Sequence, residues 1–328
     1  MKPKKQPKKY DIDEVFYIPV NGDRQSIHIR SGNRSNPVVL FVHGGPGVCD
    51  RSWVMPKQSE YLADRFTMVC WDQRMAGKNY RDADARKKMT LDQQVEDMHD
   101  VVKYLVKRFG QEKIFIVGHS WGTILSCLYL PKYPQNVRAY VGMGQFVNGF
   151  LNEDLSYEYV VNCAKELGDQ KALKDLAKIG APVNGEYAGG MDAVMVQRNY
   201  LTKYGGETWK ERGGIYQTVI IPFLTSGEYK IIPDLYRYYK GTFYCLNQLW
   251  PDVINLKFDE TLKKLDVPVY LFQGDHDQNT PTELAKKWFD ALEAPYKEYV
   301  AFHDSAHSPI MEEPELWGRT LIEKLLGE

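Results

Sequence analysis

No run of about 18 apolar residues occurs anywhere in the 328-residue chain, so nothing in it is built to cross a bilayer as a helix. Charge of either sign is not in excess. The formal net charge is −1, which removes the basic surplus on which nucleic-acid binding depends. Cysteine is sparse: Cys49, Cys70, Cys127, Cys163 and Cys245 are an odd number at no metal-like spacing, so neither a disulfide framework nor a structural zinc site is implied. Cys70, Cys127 and Cys245 lie among apolar or aromatic neighbours and read as buried free thiols. The opening MKPKKQPKKY lacks the apolar stretch of a signal peptide, so residues 1–12 read as a basic, solvated tail and the expected location is the cytoplasm.

What the chain does have is β-α alternation. The runs PVVLFVH (37–43), TMVCWD (67–72), KIFIVGH (113–119), VRAYVGMG (137–144), VPVYLFQG (267–274) and YKEYVAF (296–302) are short, apolar nearly throughout and followed by polar turns. Strands buried on both faces of a parallel sheet look like this. VFYIPV and SIHIR lead in as an antiparallel edge pair. Between strands lie helical patterns, the clearest opening at Thr90 and closing on Gly110, with apolar residues on one face. The alternation stops near residue 145 and resumes near 265, and the stretch between carries mostly helical periodicity and half of the 22 tyrosines. The expected plan is therefore an α/β core domain, residues 13–145 and 265–328, with a mainly helical cap, 146–264, inserted after the sixth strand.

IFIVGHSWGTILSC (114–127) sets a serine between two glycines at the junction of a strand and a helix. In G-x-S-x-G at such a turn the serine is held above the sheet edge, with a helix N-terminus behind it to favour developing negative charge. A serine hydroxyl needs a base, and the base an orienting acid. Downstream strands end in Gly274-Asp275-His276-Asp277 and in His303…His307. Asp277 lies far enough past the strand to turn back toward a histidine, whereas Asp275 suits bracing the turn. His307, just before the final helix, suits the base better than the strand-proximal His303. His43 and His119 flank motif glycines and read as loop braces. Trp121, directly after Ser120, offers one backbone N–H to an oxyanion, and the HGGPG loop (43–47) offers another.

With HGGPG, WDQRMAGKNY, GHSWG, GDHD and AHSP in this order, the chain resembles the α/β-hydrolase superfamily and, within it, the proline iminopeptidase group of serine peptidases. The resemblance implies a mostly parallel central sheet flanked by helices, a Ser120–Asp277–His307 triad, and Gly45 and Trp121 as oxyanion donors. It implies release of an N-terminal residue, often proline, from short peptides, with no metal and no cofactor. Three positions depart from the group's pattern. Met75 stands where a glycine is usual after Asp72-Gln73-Arg74, Lys78-Asn79 replace a small hydroxyl residue, and neutral Gln278 follows the triad acid. A substrate ammonium must then be held by the cap, where Glu153, Asp154, Glu158, Glu207 and Glu228 are available. Of these Glu153 and Glu158, with Gly44, are the expected substrate contacts, and Arg74 is expected to brace the loops. The other readings are an esterase or amidase for small acyl substrates and, from a different class, a non-catalytic ligand-binding protein on the same fold. An aspartate-dependent dehalogenase or epoxide hydrolase is removed by Ser120.

Overall fold

The computed structural model describes residues 9–210 and 219–328, so most of the basic tail expected over 1–12 lies outside the described residues. Eight strands form one sheet in the order β1-β2-β4-β3-β5-β6-β7-β8. They are β1 (Ile12–Val20), β2 (Asp23–Ser31), β3 (Val38–Val42), β4 (Thr67–Trp71), β5 (Ile114–His119), β6 (Val137–Met143), β7 (Val269–Gly274) and β8 (Lys297–Phe302). From β4 to β8 every neighbouring pair is parallel; β1 with β2 and β2 with β4 are antiparallel. The lead-in pair is thus antiparallel as its pattern suggests, but only β1 is an edge, because β2 also pairs with β4.

The central strands are apolar throughout because each side chain meets a helix layer, on whichever face it points. Val38, Leu40 and Val42 of β3 face one layer, and Val39 and Phe41 face the other. On the first side pack α2 (Leu91–Phe109), α3 (Trp121–Tyr129) and α10 (Thr282–Ala291); on the second pack α1 (Arg51–Leu62), α11 (Pro309–Glu312) and α12 (Pro314–Leu326). Helix α2 shows the local logic plainly. The Thr90 side chain accepts the Gln93 N–H as N-cap, and Gly110 closes the helix at φ 64°.

Between β6 and β7, which are neighbours in the sheet, run α4 (Gly149–Glu166), α5 (Gln170–Ile179), α6 (Gly190–Lys203), α7 (Ile221–Thr225), α8 (Ile231–Ile254) and α9 (Phe258–Thr261). This helical insertion has two parts. Helices α4 to α6 share a small apolar cluster around Val160, Leu176 and Leu201. Helix α8 instead places Cys245, Leu249 and Val253 in the main core. It also holds the loop after β3, since the Thr242 hydroxyl donates to Gly47 O at 3.0 Å and the Tyr238 hydroxyl to Cys49 O at 3.3 Å. Among the described residues no helix is long and apolar enough to cross a membrane.

Candidate active site

Ser120 sits at the junction of β5 and α3 with φ 54° and ψ −118°, a left-handed backbone that a side chain disfavours. Its N–H donates to Met143 O on β6 at 2.9 Å, which ties the bend to the neighbouring strand. The flanking glycines have a direct steric cause. A Cβ on Gly122 would lie 1.9 Å from Val42 O, and one on Gly118 would lie 2.7 Å from Gly122 O. Only a bare backbone lets α3 start this close to β3 and β5. Gly44 answers the same need from across the site, where a Cβ would approach Ser120 Cβ to 3.2 Å.

The loops after β7 and β8 bring Asp277 and His307 together. His307 Nδ1 lies 3.0 Å from Asp277 Oδ2, with both side chains buried. Asp277 is itself fixed on every side. Its Oδ1 accepts the Asn279 and Thr280 N–H groups at 2.9 Å each, and its Oδ2 accepts Gln273 Nε2 at 2.9 Å and the Thr280 hydroxyl at 2.8 Å. Thr280 Oγ1 also lies 3.2 Å from His307 Nδ1. The other ring nitrogen, His307 Nε2, is buried and has no hydrogen-bond partner among the described residues. Burial opposes the imidazolium, but the carboxylates of Asp277 and Glu207 outweigh it and hold the His307 pKa up at about 9.

His43, His119 and His303 are each engaged by other partners. His43 is buried and kept neutral, its pKa lowered to about 4 by burial. It accepts the Gln73 N–H at Nε2 (3.1 Å), leaving Nδ1–H to donate to Gly44 O (2.8 Å). His119 lies under the base, with Nε2 3.3 Å from His307 O and 3.1 Å from Ser308 Oγ. His303 is exposed and paired with Asp275 at 2.5 Å. Arg74 is engaged by Asp97 through two nitrogens, at 2.6 and 2.8 Å, and so braces the loop as expected. The sequence motifs also turn out to be joined: the Trp121 indole N–H donates to Gln73 Oε1 at 2.7 Å, and Gln73 Nε2 donates to His43 O at 3.1 Å. Met75, in place of the usual glycine, does adopt the glycine-like φ of 60°.

A cavity of about 610 Å³ opens over Ser120, with Gly45 and Trp121 in its lining. Its lining combines apolar side chains, including Ile124, Val194, Met195, Leu246 and Trp250, with polar ones, including Asn152, Glu153, Arg198, Glu207 and Thr280. Of the two carboxylates expected to meet substrate, Glu153 lines the cavity, while Glu158 is exposed and does not. At about 3.6 residues per turn, five residues along α4 carry Glu158 to another face of the helix. Glu153 Oε1 is held by Arg198 at 2.5 Å, but its Oε2 and the neighbouring Asn152 Oδ1 are buried with no hydrogen-bond partner among the described residues. Glu228 is elsewhere, buried against His28 and Arg30 of β2.

Glu207 is the site residue whose placement sequence reasoning could not supply. It lies on the segment after α6, and that segment is stitched to the loops that carry Asp277 and His307. The His307 N–H donates to Glu207 O at 3.1 Å and the Gln278 N–H to Gly206 O at 3.0 Å. Trp209 stacks on His276 with ring centroids 3.5 Å apart. Glu312 completes the join by accepting the Trp209 N–H on one oxygen (2.6 Å) and the Ala306 N–H on the other (2.9 Å). Burial pushes the Glu312 carboxyl up to about 6 against the pull of these donors. Burial also raises the Glu207 pKa, with the nearby Asp277 charge adding to it and His307 opposing.

Residues 37–166 match the family model described as the alpha/beta hydrolase fold. The chain is 29% identical to a protein of Bacillus subtilis named as a probable aminopeptidase, over 96% of this chain and 97% of that one. It is 24% identical to a proline iminopeptidase of Heyndrickxia coagulans, over 91% and 94%. The crystal structure of a proline iminopeptidase-related protein from Thermus thermophilus superposes with a TM-score of 0.61 at 17% identity, covering 96% of this chain and 98% of that one. The chain thus has the α/β-hydrolase fold and is similar over nearly its whole length to proteins named as a probable aminopeptidase and a proline iminopeptidase.

Proposed function

We propose that the protein is a serine aminopeptidase that releases N-terminal proline or another small or apolar residue from short peptides. In this reading the helical insertion is the cap over the site. The observation that carries it is the pairing of a triad-like constellation with a cavity whose polar lining holds unsatisfied acceptors. Among the described residues Glu153 Oε2 and Asn152 Oδ1 are buried without hydrogen-bond partners, and Glu207 lines the same cavity. Buried acceptors of this kind cost free energy unless a donor arrives, and a protonated N-terminus brings two N–H donors from proline or three from another residue.

The chemistry follows from the geometry. Ser120 Oγ attacks the carbonyl carbon of the N-terminal residue as His307 Nε2 takes its proton. The Gly45 and Trp121 N–H groups receive the oxyanion; Trp121 is the first residue of α3, so its N–H is not used within the helix. His307 then gives the proton to the departing amine, and water releases the acyl group by the same route in reverse. The side chain of the released residue faces the apolar lining.

Comparing kcat/KM for a prolyl arylamide with a free amine, its N-acetylated form and a short-chain aryl ester tests this directly. Fast cleavage of the first and none of the second is expected. If only the ester turns over, the protein is an esterase and the buried acceptors have another purpose.

The base provides a second test. Catalysis needs neutral His307, so kcat/KM for the ester should rise with pH and level off above about 9. Glu207→Gln removes one of the two carboxylates that favour the imidazolium, so the inflection should move to lower pH. An unmoved inflection would separate Glu207 from the base. Linkage has the matching sign. The folded pKa lies above the ordinary 6.5, so the stability this histidine adds is full below 6.5 and is lost as pH rises through about 9.

A further inference from the structure

Six large apolar side chains crowd into one exposed stretch at the start of α7 and α8: Ile221, Leu224, Ile231, Ile232, Tyr236 and Tyr239. Ile231 is 60% exposed and Ile232 85%, well beyond what scattered surface residues require. Tyr17 of β1 joins them, its phenol close enough to Arg237 and Asp234 to feel both charges. The charges of the stretch are one-sided. Lys230 and Lys240 are exposed, whereas both carboxylates between residues 221 and 240, Glu228 and Asp234, are buried. Asp82, which accepts the Tyr236 hydroxyl at 2.9 Å, lies with Asp84 in a loop that also carries Arg81, Arg86, Lys87 and Lys88, four cations against two carboxylates, so the local excess stays positive.

The N-terminal chain emerges at the same place. The ring of His28 bonds Asp13 on one nitrogen and Glu228 on the other, each at 2.7 Å, which sets the start of β1 one imidazole away from the residues leading into α8. The residues just before β1 include Lys2, Lys4, Lys5, Lys8 and Lys9. Protruding aliphatic and aromatic side chains with the exposed Lys230 and Lys240 around them supply the apolar and the electrostatic signals that together hold a protein on an anionic bilayer. A second copy of the chain fits this face poorly, because self-docking would press like charges together.

We propose that the face formed by α7, the first turns of α8 and Tyr17 docks on the surface of a membrane containing anionic lipid. The test is co-sedimentation of the full chain with vesicles of phosphatidylglycerol and phosphatidylcholine, against vesicles of phosphatidylcholine alone. The protein should pellet with the anionic vesicles and be released as salt is raised. Ile231→Asp with Ile232→Asp should weaken this by about tenfold or more, with ester hydrolysis and Tm unchanged. Both side chains are exposed and neither lines the cavity. Lys230→Gln with Lys240→Gln, which disturbs no apolar contact, should reduce the salt dependence. Equal pelleting of the parent and the double-aspartate chain would overturn the proposal. So would failure to bind anionic vesicles, whether the chain then forms a dimer in sedimentation velocity or binds polyglutamate instead.

Discussion

Ser120→Ala should reduce kcat for ester and arylamide substrates by at least about four orders of magnitude while leaving the fold intact. The hydroxyl is the only group removed, and what it does in the folded state is face the cavity. Its loss should change stability by less than about 1 kcal/mol. Ser120→Gly should be equally inactive yet at least as stable, because glycine adopts φ 54° without the strain that serine bears there. Steady-state kinetics beside thermal unfolding of the two variants checks both parts. A folded Ser120→Ala protein with substantial turnover would sink the acyl-enzyme mechanism. A parent protein that is already inactive on all three substrates, yet binds small molecules in the cavity, would favour the non-catalytic reading.

Asp277→Asn should cost about four orders of magnitude in kcat, although it changes one atom type. Asp277 is an acceptor only: Oδ1 takes two backbone N–H groups and Oδ2 faces Gln273 Nε2, the Thr280 hydroxyl and His307 Nδ1. An asparagine keeps its oxygen on the backbone donors, which turns its NH₂ toward the other three. The Thr280 hydroxyl can rotate away, and the imidazole can shift its proton to Nε2. The nitrogen that the proposed mechanism uses to take the Ser120 proton is then a donor and no longer a base. The amide of Gln273 has no such escape, so a loss of about 1–3 kcal/mol in stability should accompany the loss of rate. Asp277→Asn should also lower the His307 inflection by more than Glu207→Gln does, since Asp277 is the larger of the two carboxylate influences. Retention of most activity in this variant would mean that another residue orients the base.

Much of this site was legible before any coordinates, because its parts are local. The elbow is written in five consecutive residues, and the acid and base each follow a strand that its own composition reveals. The steric demand behind Gly118 and Gly122 is also local in sequence, even though the atoms they avoid belong partly to β3. What could not be read were contacts made across the chain. Nothing near residue 207 marks it as a neighbour of His307; that proximity depends on how the segment after α6 drapes over two loops about 70 and 100 residues further on. Glu158 failed for the converse reason. A carboxylate cluster on one helix gives its members no common direction, and periodicity alone separates Glu153 from Glu158. Thr280 did leave a trace, as a hydroxyl residue three positions after Asp277 in a turn, where side chains commonly bond back to an aspartate.

The stitching of Gly206, Glu207 and Trp209 to the loops of Asp277 and His307 gives the insertion a veto over the chemistry. A lid hinged wholly apart from the triad can open and leave a competent nucleophile exposed to whatever drifts past. Here, lifting that segment would strip the backbone of His307 of its contact with Glu207 O and unstack Trp209 from the residue beside Asp277. Under the serine-peptidase mechanism proposed above, any movement that lifts this segment would therefore also disturb the histidine on which the chemistry depends.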